Sequence, residues 1–289
     1  MHDPRLNGQR IVVTGGNAGI GKESAVALAE LGAHVVLTSR DALRGAAAGD
    51  EVRARSGSAE VEVMPLDLAS FASIRAFVAD VAARHDRLDV LLCNAGLVMS
   101  RRTETVEGFE TTFGVNHLGH FLLTDLLLEH LRASAPARVV VVASHAHKMA
   151  RHGLDFEDLQ STRHYRGFDA YAKSKLANVY FTRELARRLD GTGVTVNALH
   201  PGYVESRFGR DGDVSYESII RLGARLFAIS PEAGAQTSVY LASAPEVASA
   251  TGGYYAKCAP GPVSRAARDE VAARRLWEAS TALVAGAPG

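Results

Sequence analysis

The stretch from Ile11 to Ala33, IVVTGGNAGIGKESAVALAELGA, constrains this chain more than any other. Ile11-Val12-Val13 reads as a buried parallel strand, a glycine turn runs from Thr14 to Gly21, and Ala25, Leu28, Ala29 and Leu31 then recur at helical spacing. This is a strand, a turn and a helix. Gly15 lets the chain leave the strand tightly, Gly19 lets backbone approach a ligand, and Gly21 permits close packing of helix on sheet. The unpaired N–H groups and positive dipole end at the helix start would favour a pyrophosphate lying over the turn. The spacing is G-x-x-x-G-x-G rather than G-x-G-x-x-G, and a glycine-rich turn with no ligand is the alternative on this motif alone.

Composition narrows the field. The 289 residues are 47% hydrophobic, ample for a substantial core, and no linker or charge run divides them, so one domain is expected. A cofactor half would span about residues 8–145 and a catalytic and substrate half about 146–285. Lys plus Arg and Asp plus Glu number 32 each, which leaves no strong field for nucleic acid or an anionic membrane. Neither of the two cysteines, Cys93 and Cys258, has metal-ligand or secreted-framework spacing. With no signal peptide, anchor or long apolar run, a cytoplasmic location is expected.

Further strands are expected at 34–38, 61–66, 88–93, 139–142, 194–199 and near Gly252-Gly253-Tyr254-Tyr255, making a doubly wound parallel α/β sheet of seven strands with helices on both faces. Helices are expected over 41–56, 71–84 with Ser70 as N-cap, 107–131, 168–189, from Ser230-Pro231 to about 243, and 265–283. Ser39-Arg40-Asp41 ends the second strand about 20 residues beyond the turn, where such a sheet meets the adenosine ribose. Ser39 can donate to a 2′-phosphate and Arg40 can pair with it, which favours NADP(H) over NAD(H), although Asp41 complicates the ribose contact. Asp67, before Leu68, suits the adenine amino group or else a local turn. Asn94-Ala95-Gly96 lets backbone lie against a flat ring, and Cys93 reads as a small buried filler.

Asn116 sits inside a helix, where asparagine is mildly unfavourable, and could hold a helix carbonyl and a water together. Ser144 closes the fifth strand, poised for a site or a simple turn. Tyr171 and Lys175 are four apart on one helix face, about 6 Å along the axis, so the ammonium would stabilise the phenolate and lower its pKa. The alternative is an amphipathic surface pair. Pro201-Gly202 shapes a turn, and residues 203 to 229 carry Tyr203, Phe208, Tyr216, Ile219, Ile220, Leu222, Leu226 and Phe227, either a lid over an apolar pocket or an ordinary packed helix. His145, His147, His152 and His164 are expected to be solvated loop histidines, and no metal site is expected.

Taken in order, TGGNAGIG, Asp67-Leu68, Asn94-Ala95-Gly96, Asn116, Ser144, YAKSK and Pro201-Gly202 resemble the short-chain dehydrogenase/reductase family over nearly the whole chain. VNHLGHF, AYAKSKLAN, ELARRL, HPGYVES and SPEAGAQTSVYLA are similar to its retinol dehydrogenase-like branch, which includes the WW-domain oxidoreductase. The separation of 27 positions from Ser144 to Tyr171 agrees with that branch. The resemblance implies a Rossmann fold and hydride transfer between a nicotinamide cofactor and a carbonyl or alcohol of a largely apolar small molecule. Tyr171 would be the acid or base, Ser144 would bind the substrate oxygen, Lys175 would tune Tyr171 and bind ribose, and Asn116 would position a water. Cofactor contacts are implied at Gly15, Asn17, Gly19, Ile20, Gly21, Ser39, Arg40, Asp67, Leu68, Asn94, Ala95, Gly96, Tyr171, Lys175, Pro201, Gly202 and Val204. Ser206 departs from the Thr often found there. Family members often associate through the helices bearing Asn116 and Tyr171, so a homodimer or homotetramer is expected. A catalytically silent NADP(H)-sensing protein is the rival reading, and an extended-branch epimerase or dehydratase a second.

Overall fold

Apolar runs at regular intervals build a sheet buried on both faces. The computed structural model describes residues 6–204 and 229–287. Strands β1 (Arg10–Val13), β2 (His34–Ser39), β3 (Val61–Pro65), β4 (Val90–Cys93), β5 (Ala137–Val142), β6 (Val194–His200) and β7 (Tyr254–Ala256) lie parallel in the order β3-β2-β1-β4-β5-β6-β7. The helices are α1 (Gly19–Glu30), α2 (Ala42–Ser56), α3 (Phe71–Arg84), the single turn α4 (Thr111–Phe113), α5 (Gly119–Ala133), α6 (Gly167–Arg188), α7 (Pro231–Ser243) and α8 (Glu270–Gly286).

Strand residues alternate between two cores. Val12, Val36, Leu91 and Val139 face α3, α5, α6 and α8, while Ile11, Val35, Leu92 and Val140 face α1, α2 and α7. Helices therefore cover both faces, the Rossmann-like arrangement. From the neighbours β1 and β4 the strand order runs outward in opposite directions, and at such a switch point the crevice beyond the strand ends is where ligands bind.

The structure departs from the expected elements in three places. An eighth strand, β8 (Ala259–Pro260), folds back antiparallel on β7, with Tyr255 opposite Pro260 and Ala256 opposite Ala259. Its two-residue turn holds Lys257 and Cys258 at φ 54° and 57°, the left-handed conformation that glycine or asparagine usually signals. The helix expected from 107 begins instead at Thr111 and passes through a π-turn, Gly114–Leu118, before α5. The terminal helix starts at Glu270 after a 3₁₀ turn, with Asp269 capping the Ala272 N–H. Ser70 and Ser230 cap α3 and α7 as expected. The lid segment lies outside the described residues apart from Tyr203, Val204 and Ile229, as does Ser206.

Candidate active site

The glycine turn fills the crevice at the end of β1. Gly15 has φ 65° and its N–H donates to Thr38 Oγ1 at 3.2 Å. A Cβ at Gly21 would lie 2.4 Å from the Gly15 carbonyl oxygen and 2.5 Å from Asn94 Nδ2, so helix and turn meet at a distance only glycine allows. Ala18 occupies the N-cap of α1 and offers no side-chain cap, which leaves the first N–H groups directed beyond the turn, where a pyrophosphate fits. Asn17, Gly19 and Ile20 are all partly exposed on this lip.

Across the crevice, Asn94, Ala95 and Gly96 are fastened to the same turn. Asn94 Nδ2 donates to the Thr14 carbonyl at 2.9 Å, and the N–H groups of Asn94 and Ala95 donate to Thr14 Oγ1 at 2.8 and 3.0 Å. Thr14 opens the TGG motif, and its hydroxyl ties the two turns together. A Cβ at Gly96 would sit 3.3 Å from both Asn116 Oδ1 and Lys175 Nζ.

The π-turn delivers Asn116. Its Oδ1 accepts from the Leu97 N–H at 2.8 Å, while Nδ2 donates to the Leu97 carbonyl at 2.9 Å and to Ser174 Oγ at 3.0 Å. The amide thus anchors the segment after Gly96.

Ser144, Tyr171 and Lys175 converge from the end of β5 and from α6. The Ser144 hydroxyl acts on the Tyr171 hydroxyl closely enough to oppose the rise of its pKa, and Ser144 Oγ accepts from the Ala146 N–H at 3.1 Å. Lys175, 3% exposed, donates to the Val142 carbonyl at 2.8 Å and lies 5.7 Å from the Tyr171 ring centroid. Burial pushes the Tyr171 phenol up to about 12, with the Ser144 hydroxyl opposing, and pushes the Lys175 ammonium down to about 8. The expected lowering of the phenol by its neighbour is overturned here, because desolvation penalises the charged forms of both groups.

At the ribose end, Ser39 is 5% exposed and donates to the Asp41 carbonyl at 2.7 Å, so its hydroxyl is turned back into the loop. Asp41 caps α2 through the Arg44 N–H, and Arg40 is exposed at the crevice edge. The Asp67 carboxylate accepts from the Ala69 N–H at 2.9 Å, the local turn role, and Leu68 is buried against Gly119. On the other side of the crevice, Gly202 has φ 99°, Pro201 is half-buried, and Val204 forms a bridge with Ile229 beside Ile20 and Gly234.

Of the four loop histidines one is buried and one partly covered. His147 is fully buried, its Nδ1 donating to the Ser144 carbonyl at 2.6 Å and its Nε2 accepting from the Ser264 N–H at 3.2 Å. His145 stacks on His200 at 3.9 Å; His152 and His164 are exposed. Among the described residues, one trio groups metal-ligand types, His34, Glu62 and His85, far along the strands from the crevice. Arg10 Nε donates to His85 Nδ1 at 3.1 Å, so the neutral ring carries its proton on Nε2, 3.0 Å from Glu62 Oε2. Cys93 is buried and its thiol pushed up to about 12, consistent with a filler.

A dinucleotide crevice with serine, tyrosine and lysine at the mouth of a parallel sheet defines an NAD(P)-dependent oxidoreductase acting on alcohol and carbonyl groups. The sequence matches the short chain dehydrogenase family over residues 9–155 and 159–213. The chain belongs to that family, in its retinol dehydrogenase-like branch. It is 44% identical to retinol dehydrogenase 14 of Homo sapiens, over 98% of this chain and 88% of the relative. Retinol dehydrogenase 12 of Homo sapiens is 48% identical over 97% and 87%. The fold is similar to a crystal structure of an uncharacterized protein from Mycobacterium paratuberculosis, with TM-score 0.77, 34% identity and coverage of 96% and 94%. It is also similar to the Pseudomonas aeruginosa RhlG/NADP active-site complex, with TM-score 0.70, 29% identity and coverage of 88% and 96%.

Proposed function

We propose that the chain is an NADP(H)-dependent carbonyl reductase or alcohol dehydrogenase for a largely apolar small molecule, with Tyr171 as its acid and base. The observation that carries this reading is the convergence of Ser144, at the end of β5, and Tyr171 beside the buried Lys175, whose Nζ lies 5.7 Å from the Tyr171 ring centroid. Bound nicotinamide would supply or accept hydride at the substrate carbon. Ser144 and Tyr171 together offer two hydroxyls to one substrate oxygen, and Tyr171 passes its proton to that oxygen in reduction or takes it in oxidation. Lys175 gives one hydrogen bond to Val142, leaving two N–H groups for a ribose and for the negative charge left on the tyrosine oxygen as its proton departs. Asn116 keeps Gly96 and Leu97 in place, so the wall between Tyr171 and the glycine turn stays fixed.

Arg40 supports the NADP(H) preference, since the Asp41 carboxylate is taken up by the α2 cap. The apolar substrate is supported by the composition of residues 203–229, and by Tyr203 standing 65% exposed where that segment begins. The test is reduction of a straight-chain aldehyde series with NADPH. In the unmodified enzyme kcat/KM is expected to rise several-fold per added carbon until the pocket fills, at about 0.8 kcal/mol per buried CH₂. Tyr171→Phe is expected to lower turnover roughly 10²-fold or more with NADPH affinity nearly unchanged. Near-normal turnover in that variant would remove Tyr171 from the chemistry, and a flat series would remove the apolar pocket.

A further inference from the structure

His120 lies one turn beyond Asn116, 2% exposed, and reaches both walls of the crevice. Its Nδ1 is 3.2 Å from the Asn116 carbonyl oxygen and its Nε2 is 2.9 Å from Thr14 Oγ1. A carbonyl oxygen only accepts, so Nδ1 carries the proton and Nε2 of the neutral ring is an acceptor. The Thr14 hydroxyl has one proton and two lone pairs, and the N–H groups of Asn94 and Ala95 occupy both lone pairs. Its proton then has two candidate acceptors. The Leu92 carbonyl, at 3.3 Å, already receives the Thr14 N–H at 3.0 Å and a share of the bifurcated Asn94 N–H, also at 3.0 Å. His120 Nε2 is nearer and otherwise unfilled, so the hydroxyl donates to it. Every donor and acceptor in this buried chain is matched in only one arrangement, from the Asn94 and Ala95 amides through Thr14 and His120 to Asn116. A ring protonated at Nε2 would bring a third donor to the Thr14 oxygen and displace an amide.

We propose that His120 is a positioning residue that, in its Nδ1–H tautomer, locks the glycine turn, the Asn94–Gly96 turn and the π-turn at Asn116 into one unit, and so fixes the width of the cofactor crevice. The role rests on the reading that this crevice holds NADP(H). It is distinct from general core packing, because a leucine would fill the space while breaking both links.

The experiment measures NADPH dissociation constants by fluorescence titration, a readout that needs no substrate, together with aldehyde turnover and thermal melts. His120→Leu and Thr14→Val are each expected to weaken NADPH binding by about tenfold, the loss of roughly one matched buried hydrogen bond. The double variant is expected to be no weaker than the worse single one, since both break the same chain. His120→Gln can accept from Thr14 and donate to Asn116, and is expected to bind NADPH within about threefold of the unmodified protein by the same conversion. His120→Asn is a methylene shorter, cannot span both partners, and stands in for His120→Leu should that variant not fold. Unchanged NADPH affinity in a folded His120→Leu or His120→Asn protein, losses that multiply in the double variant, or no advantage of Gln over Asn would each overturn the proposal. Absence of NADPH binding by the unmodified protein would instead overturn the cofactor reading, and this role with it.

Discussion

At the end of β2 the Ser39 hydroxyl is committed to the Asp41 carbonyl and the Asp41 carboxylate to the Arg44 N–H, so on the proposed NADP(H) reading discrimination between a ribose 2′-OH and a 2′-phosphate would fall on Arg40. Removing a charge-assisted partner costs about 1.5–3 kcal/mol, or roughly 10- to 100-fold. Arg40→Ala is therefore expected to weaken NADPH binding by that factor while NADH binding stays nearly constant, read by titrating both. An unmodified protein that already prefers NADH would end this assignment. Residue types and spacings were legible in the sequence here: Asn116, Ser144, Tyr171, Lys175 and the glycine turn do meet at one crevice. What spacing could not carry is environment. A tyrosine four residues from a lysine looks activated until both are seen to be desolvated, and Asn116 looks available until Leu97 and Ser174 are seen to hold it.

The connection from Asn116 to α5 illustrates what periodicity misses in an element. A π-turn inserts one residue without disturbing the apolar repeat on either side, so the stretch reads as a continuous helix. The insertion places Gly119 directly on β3's exit loop, where a Cβ would lie 2.6 Å from the Leu68 carbonyl oxygen. Backbone on both sides leaves no flexible atom to give way. Gly119→Ala is expected to destabilise the fold by about 1–3 kcal/mol, the usual cost of overpacking, and to lower the melting temperature by several degrees. Gly286, within α8 and with nothing inside 4 Å of its Cβ position, is the control; alanine there is expected to be neutral or slightly stabilising. Equal melting temperatures for the two variants would contradict the tight contact. The β7–β8 turn was hidden for a related reason, since Lys257-Cys258 adopts a glycine-type conformation without glycine.

Across the whole molecule, acid stability follows from how many histidines the fold buries. His117 is pushed down to about 3 and His120 to about 4, both by burial first, and His200 to about 3 by burial and by His145, His147 and Lys148. His117 Nδ1 has no hydrogen-bond partner, while its Nε2 meets Ser280 Oγ at 2.8 Å, so protonation would place an unmatched charge among Phe113, Phe121 and Phe181. In the unfolded chain these rings titrate near 6.5. Between about pH 6.5 and 4 the unfolded state therefore binds more protons than the native state, and stability falls as pH falls. Each such ring contributes about 1.36 kcal/mol per pH unit, so three together remove about 4 kcal/mol per unit, against a total of about 5–15 kcal/mol for a protein domain. Carboxylates held low by partners, such as Glu184 between Arg187 and Arg188, enter only below their ordinary value of 4.5, which leaves the upper window to the histidines. Urea unfolding measured from pH 7.5 to 4.5 is expected to show a plateau above pH 6.5 and a steep decline below it, with loss of the fold near pH 4–5 by this reasoning. His117→Leu removes one titrating ring without adding a charge, and is expected to reduce the slope of the decline by about 1.4 kcal/mol per pH unit, whatever it does to the plateau. Stability that stays flat from pH 7 to 5, or a slope unchanged in the His117 variant, would show that the native state accommodates protonated rings and that burial does not control its acid limit.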